Sequence, residues 1–261
     1  MEMENMTTQF RIEKDSLGEV QVPCDALYGV QTVRATQNFP ITHLRTHPAM
    51  IRSLGMIKKA CAMANHECGH LDDERTGYII AACDEIIQGK LDCWFITDVI
   101  QGGAGTSTNM NANEVVANRA AQLAGKALGV YDYIHPNDHV NFGQSTNDVF
   151  PTAGKLTALF LVEDLLEELM LLQEALLDKS IEFNDVIKLG RTHLQDAVPI
   201  RMGQEFHAFA TAIVRDIRRI KVAFSNLKSV NMGATAVGTG INTDERYKRI
   251  CVKHLCDITQ I

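Results

Sequence analysis

The chain has 261 residues, 46% of them hydrophobic, and a formal net charge of −7. That length and apolar content suit one large or two ordinary folded domains and exclude a disordered chain. The acidic balance is the wrong sign for a nucleic-acid surface, and no apolar run approaches the roughly 20 residues needed to span a bilayer. The amino-terminal MEMENMTTQF is polar and acidic, without the apolar centre of a signal peptide. Seven cysteines, an odd number with no CxxC pair, read as reduced, mostly buried thiols in a cytoplasmic protein.

Phe10, Ile12, Val20 and Val22 alternate around Ser16-Leu17-Gly18, which predicts a small hairpin. An irregular stretch rich in Thr, His and Pro runs on to Pro48. Ala49–Cys68 carries Ile51, Leu54, Ile57, Ala60 and Cys61 or Ala64 on one helical face. Gly69 stops that helix, and Asp72 is placed to cap another running through Gln88. A Gly-rich loop, Gln101–Asn113, then feeds a helical run Glu114–Leu128. A loop opening into a helix start presents free N–H groups and a partial positive charge, which together suit an anion.

His135–Asp148 is dense in turn formers and predicts a polar loop, with Pro151 in the first turn of a following helix. Thr152–Phe183 places Leu156, Leu159, Leu166, Leu169, Gln173 and Leu176 or Leu177 on one stripe. Arg201–Val230 repeats the pattern with Met202, Phe206, Phe209, Ile213, Ile217, Ile220, Phe224 and Leu227. Both stripes are too wide for a single antiparallel neighbour, so further helices are expected around them. The fold predicted is mainly α. An N-terminal mostly helical domain with a small hairpin (1–146) is followed by the first part of a central long-helix bundle (147–261).

Some patterns mislead. His66-Glu67-Cys68-Gly69-His70 matches the HExxH zinc signature, but Gly69 lies between the histidines where the helix ends. No metal site is assigned. The Gly-rich loop lacks the Lys-Ser/Thr end of a P-loop and the third glycine of a dinucleotide-binding turn, so no cofactor is assigned either. Glu163, Asp164, Glu167 and Glu168 read as a solvated helix face. His43, His47, His207 and His254 stand alone and read as structural or surface residues.

Three polar clusters share one design: Thr106–Asn109, Gly143–Asp148 and Gly190–Asp196, each beside an expected helix terminus. Gathered together they would supply hydroxyl, amide and imidazole donors with few fixed charges. That set suits a small polycarboxylate whose negative charge grows during reaction.

The motifs GAGTSTNMNANEV, HPNDHVNFGQSTNDVFPT, GRTHLQDAVP with GQEF, and GATAVGTGIN, in that order, resemble the aspartase/fumarase superfamily from about Phe10 to the end. Fumarases usually carry SGTQSN, QSSND and GRTHTQDATP. This chain has AGTSTN, QSTND and GRTHLQDAVP there, which match the ammonia-lyase branch.

The resemblance implies a fumarase/aspartase-like fold and reversible elimination of ammonia from L-aspartate to give fumarate through an enediolate. It implies that Thr106, Ser145 and Thr146 hold the β-carboxylate as charge develops, with Ser107 and Asn109 beside them. It places Asn147 near the amino group, and Thr192 and His193 on the substrate, His193 towards the α-carboxylate. His135, Asn137 and Asp138 match a loop that in fumarases lines a peripheral dicarboxylate site; here they read as a structural turn. The implied assembly is a homotetramer whose active sites draw on three subunits. The family's third signature, GSSxMPxKxNP, with its general-base serine and a substrate-binding lysine, is not among these residues. The chain closes on Cys256–Ile261 without a stop signal and reads as cut inside an element, so by itself it is expected to be inactive. The other readings are a class II fumarase and a non-catalytic scaffold that keeps the lyase fold.

Overall fold

The computed structural model describes residues 9–261, which fall into two compact units. The first runs to Thr157 and resumes at Val230; the second is Ala158–Ser229.

The first unit opens with the expected hairpin, β1 (Phe10–Asp15) paired antiparallel with β2 (Gly18–Pro23) in the register Ile12 to Gln21. Helix α1 (Val30–Asn38) then forms inside the stretch expected to be irregular. Its start has no capping side chain of its own. Instead the Glu114 carboxylate, more than 80 residues away, accepts from the amides of Gly29, Gln31 and Thr32 and from the Thr32 hydroxyl at 2.6–3.1 Å. Four donors on one buried carboxylate satisfy the orphan N–H groups of a helix start. No local sequence signal could have announced that cap.

Helices α2 (Pro48–Glu67) and α3 (Asp73–Ile87) follow the sequence reading closely. All of Ile51, Leu54, Ile57, Ala60, Cys61 and Ala64 are buried, and the Asp72 side chain accepts from the Arg75 amide. The α2 helix ends before Gly69, whose φ is +83°. In its last turn His66 pairs with Asp73, and the Glu67 carboxylate accepts from His254 at 2.5 Å. The HExxH residues therefore belong to separate ion pairs, and His70 lies outside the helix.

Helix α4 (Thr106–Leu123) starts eight residues before the expected Glu114 and stops short of Leu128 at Gly125, where φ is +70°. The polar residues Thr106–Asn113 are therefore its first two turns, not a loop. The predicted polar loop His135–Asp148 is likewise partly helical. Pro136–Val140 forms a short π-helical turn, with the His135 imidazole accepting from the Asn137 and Asp138 amides at 3.2 Å.

Helix α5 (Thr146–Glu182) begins before Pro151, which sits inside the helix rather than in its first turn. Ser145 and Asp148 explain the earlier start. The Ser145 hydroxyl accepts from the Asn147 amide at 3.2 Å, and the Asp148 carboxylate accepts from the Ser145 amide at 2.9 Å. Ser145 thus caps the second helical amide, and Asp148 at the third position reaches back to the Ser145 amide as in a capping box. The first unit closes with the loop 230–246 and α7 (Tyr247–Thr259), which packs against α2 through buried Tyr247, Cys251 and Leu255.

In the second unit α5 keeps Leu166, Leu169, Gln173, Leu176 and Leu177 half-buried, as the stripe predicts, while Glu163, Asp164, Glu167 and Glu168 are exposed. A hairpin follows, β3 (Ile187–Thr192) with β4 (Gln195–Arg201), and it carries the polar cluster Gly190–Asp196. Helix α6 (Met202–Leu227) carries the second stripe, with Ile217 buried and Phe209 departing from it at 55% exposure. Its start lies against the end of α5, where the Gly203 amide donates to the Phe183 carbonyl at 3.0 Å. A Cβ on Gly203 would lie 2.3 Å from the Ser180 carbonyl oxygen, so glycine is required by the approach of the backbones.

Among the described residues no helix is long and apolar enough to cross a membrane.

Candidate functional site

The start of α4 is held by residues that precede it. Gln101 accepts from the Thr108 amide at 2.8 Å and donates to the Thr108 hydroxyl at 2.7 Å, folding the Gly-rich loop onto the first turn. Gly105 stands before Thr106 with φ +92°, and a Cβ there would lie 2.2 Å from the Phe150 ring of α5. That close approach brings the starts of α4 and α5 together. Polar contacts complete the junction: the Asn109 side-chain amide donates to the Thr146 hydroxyl at 3.3 Å and to Asn141 Oδ1 at 3.4 Å.

Thr106 is exposed and Ser107 partly so, and both line a cleft of about 330 Å³ with Gln31, Arg34 and Gly102. Ser145 lines a larger cleft of about 880 Å³ with Asn137, Asp138, Asn141, Thr235 and Asn242. Thr146 is half-buried between the two helix starts, and Asn147 is exposed.

The loop carrying GATAVGTGIN also meets this corner. The Asn147 side chain donates to the Ala236 carbonyl at 2.8 Å, and the second oxygen of Asp148 accepts from the Thr235 amide at 3.0 Å. Asp148 is fully buried, and burial pushes its carboxyl above the ordinary range against the opposing pull of the Ser145 and Thr235 amides.

The starts of α4 and α5, set beside one another, form a polar corner whose partial positive charge is of the sign that suits an anion. Asn109 and Thr146 join the two helix starts, Thr106 and Ser107 line one cleft and Ser145 another, and Asn147 is exposed. Thr192 and His193 belong to the second unit, at the tip of the β3–β4 hairpin, where both are exposed. His193 (φ 52°) and Leu194 (φ 62°) both adopt left-handed backbone, the geometry of a two-residue hairpin turn, and it leaves the imidazole in the open. Among the described residues no group of three or more His, Cys, Asp or Glu side chains is placed to hold a metal ion.

Three residues at this corner were given no role from the sequence. Gln101 holds the Gly-rich loop, and Asp148 joins α5 to the 230–246 loop. Lys58, on α2, is fully buried and donates to Asn141 Oδ1 at 2.9 Å and Gln144 Oε1 at 2.8 Å. Burial lowers its amine to about 8. A signal for Lys58 was present: it lies four residues after Leu54 and three before Cys61, inside the apolar stripe of its helix.

A mainly helical fold whose helix starts carry these ordered polar motifs is of the aspartase/fumarase type. The chain belongs to that superfamily: the family model described as "Lyase" matches residues 18–261. Its relatives include an aspartate ammonia-lyase of a Bacillus species, 58% identical over 96% of this chain and 53% of that protein. A class II fumarate hydratase of Halobacterium salinarum is 48% identical over 98% of this chain and 54% of that protein. A crystal structure of a fumarate lyase:delta crystallin from Brucella melitensis bound to cobalt superposes with a TM-score of 0.92 at 47% identity, covering 97% of this chain and 55% of that one. The chain spans about half the length of the relatives it matches.

Proposed function

We propose that this chain supplies part of the active site of an aspartate ammonia-lyase, which eliminates ammonia from L-aspartate to give fumarate without a cofactor. The observation that carries the reading is the corner where Asn109 meets Thr146, setting the hydroxyls of Thr106, Ser145 and Thr146 at two adjoining helix starts.

The chemistry explains why such a corner is needed. Removing the Cβ proton puts a second negative charge onto the neighbouring carboxylate. Stabilising that dianionic enediolate more than the bound substrate is what lowers the barrier. Thr106, Ser145 and Thr146, with the α4 and α5 starts behind them, hold the β-carboxylate while its charge doubles. Ser107 and Asn109 support them. Asn147 meets the amino group, and Thr192 and His193 meet the substrate, His193 on the α-carboxylate side, in a homotetramer whose active sites draw on three subunits. The general-base serine that the resemblance assigns is outside these 261 residues, so the reaction is proposed for the protein at the length of its relatives.

Incubating that protein with L-aspartate and following fumarate absorbance tests the reading. Fumarate should appear with release of ammonia. A protein that instead hydrates fumarate to malate would replace the reading with a class II fumarase, the alternative supported by the Halobacterium salinarum relative. Absence of both activities in the full-length protein would leave a scaffold with the lyase fold.

A further inference from the structure

We propose that Lys58 is a positioning residue for the substrate-holding start of α5, acting through Asn141 and Gln144. Its effect on turnover rests on the lyase reading; its effect on the segment before Ser145 does not.

The geometry is specific. Lys58 Nζ donates to Asn141 Oδ1 at 2.9 Å and to Gln144 Oε1 at 2.8 Å. Gln144 in turn donates to the Val140 carbonyl at 2.8 Å, closing the turn on itself. About two helical turns further along α2, the Asn65 side chain donates to the Phe142 carbonyl at 2.9 Å. Helix α2 thus grips three of the four residues that lead directly into Ser145. Asn141 also accepts from Asn109 at 3.4 Å, so the same turn is tied to α4.

A buried lysine is a costly way to hold a turn. Removing an ammonium from water costs several kcal/mol unless hydrogen bonds replace the lost hydration. A methionine of similar length would pack into the apolar stripe without that cost. The charge is useful where it is because hydrogen bonds from an ammonium are roughly twice as strong as those between neutral groups. Two such bonds fix both side-chain acceptors that flank Phe142 and Gly143. They also place a positive centre on the turn that Asn109 ties to α4. The charged and titratable groups acting on Lys58 are Asp148 of α5, Cys61 of its own helix and Cys83 of α3.

The test compares Lys58→Met, Gln144→Leu and the double variant in the protein that carries this chain. Amide hydrogen exchange at Ser145, Thr146 and Asn147 should accelerate at least about tenfold in Lys58→Met, with protection in α3 and α7 unchanged. Gln144→Leu should accelerate the same amides, which keeps the test alive if Lys58→Met does not fold. The double variant should add little to either single one, because both break the same tie. In the elimination assay, kcat should fall about tenfold or more while the KM for aspartate changes less than threefold. Unchanged exchange at Ser145–Asn147, or loss of protection spread through α2, α3 and α7, would overturn the proposal. So would additive effects in the double variant, or a change confined to KM. If the wild-type protein carries out no elimination, the reaction reading fails and the exchange result still decides the positioning role.

Discussion

The side-chain amide of Asn109, in the first turn of α4, donates to the hydroxyl of Thr146, the first residue of α5, at 3.3 Å. Asn109 is 1% exposed, so this contact joins the two helix starts from below and leaves the outer hydroxyls free to face solvent. Its oxygen Oδ1 has no protein partner among the described residues. Bonds of 3.3 and 3.4 Å are long, so Asn109 sets a spacing more than it holds the unit together. Replacing it by leucine should change unfolding free energy by less than about 1 kcal/mol while lowering kcat at least about tenfold. Urea denaturation and the fumarate assay measure both. A large stability loss with kcat intact would make Asn109 purely structural.

Thr106 is the exposed member of the same helix start. Thr106→Ala in the full-length protein should lower kcat and kcat/KM together by about 10²–10³, the effect of losing one donor to a developing oxyanion. Its stability should stay within about 0.5 kcal/mol of the wild type, since the side chain is at the surface. Steady-state kinetics that match the wild type would remove Thr106 from the site.

Gly105 shows how closely the two helices approach. Alanine there would put a Cβ 2.2 Å from the Phe150 ring at a residue whose φ is +92°. Both the left-handed backbone and the collision oppose it, so Gly105→Ala should destabilise by about 2 kcal/mol or more. Adding Phe150→Ala should recover only the collision part. A Gly105→Ala variant with wild-type stability would mean that the junction gives way more easily than its geometry requires.

Glu114 is 1% exposed and gathers the start of α1 onto α4. Glu114→Gln replaces one acceptor oxygen with an NH2 group that faces N–H donors. The expected loss is about 2 kcal/mol or more, because a buried donor is left without an acceptor where a charged one had served several. Chemical denaturation gives the value. A loss below about 0.5 kcal/mol would show that α1 is held by its packing alone.

Lys58 makes stability depend on alkaline pH in an unusual direction. Its amine titrates at about 8 in the folded chain against an ordinary 10.5. Below about 8 both states are charged, and the cost of burying that charge is present in full. Between 8 and 10.5 the unfolded chain keeps a proton that the folded one has released, so this residue's contribution to stability rises with pH. The full gap is worth about 3 kcal/mol. The unfolding free energy of the wild type minus that of Lys58→Met should therefore increase from pH 7.5 to pH 10. A flat difference would show that the lysine titrates normally.

Much of the helical frame was legible. The stripe of α2, the Asp72 cap, the first hairpin and the α6 pattern are local, and the structure reproduces them because burial of one face follows directly from residue spacing. The exceptions are polar. Thr106–Asn113 and Thr146–Asp148 have the composition of loops yet are helical, because partners distant in the chain or in an adjoining turn satisfy their side chains. Asn111 donates to the Trp94 carbonyl at 3.0 Å, and Gln101 replaces a local cap on Thr108. The two-residue turn at His193 and Leu194 was hidden because neither is a residue that ordinarily announces a left-handed backbone.

The candidate site divides in the same way. The ordered motifs in the sequence determined the superfamily and named the polar residues, because residue identity alone sets which groups can donate to a carboxylate. Only the tertiary structure decided that the starts of α4 and α5 meet at Asn109 and Thr146, that the 230–246 loop meets α5 through Asp148, and that Lys58 holds the side chain of Gln144. Those contacts link residues from about 37 to 87 positions apart. Local periodicity carries no information at that range, since it is set by which buried polar groups find one another when the helices pack.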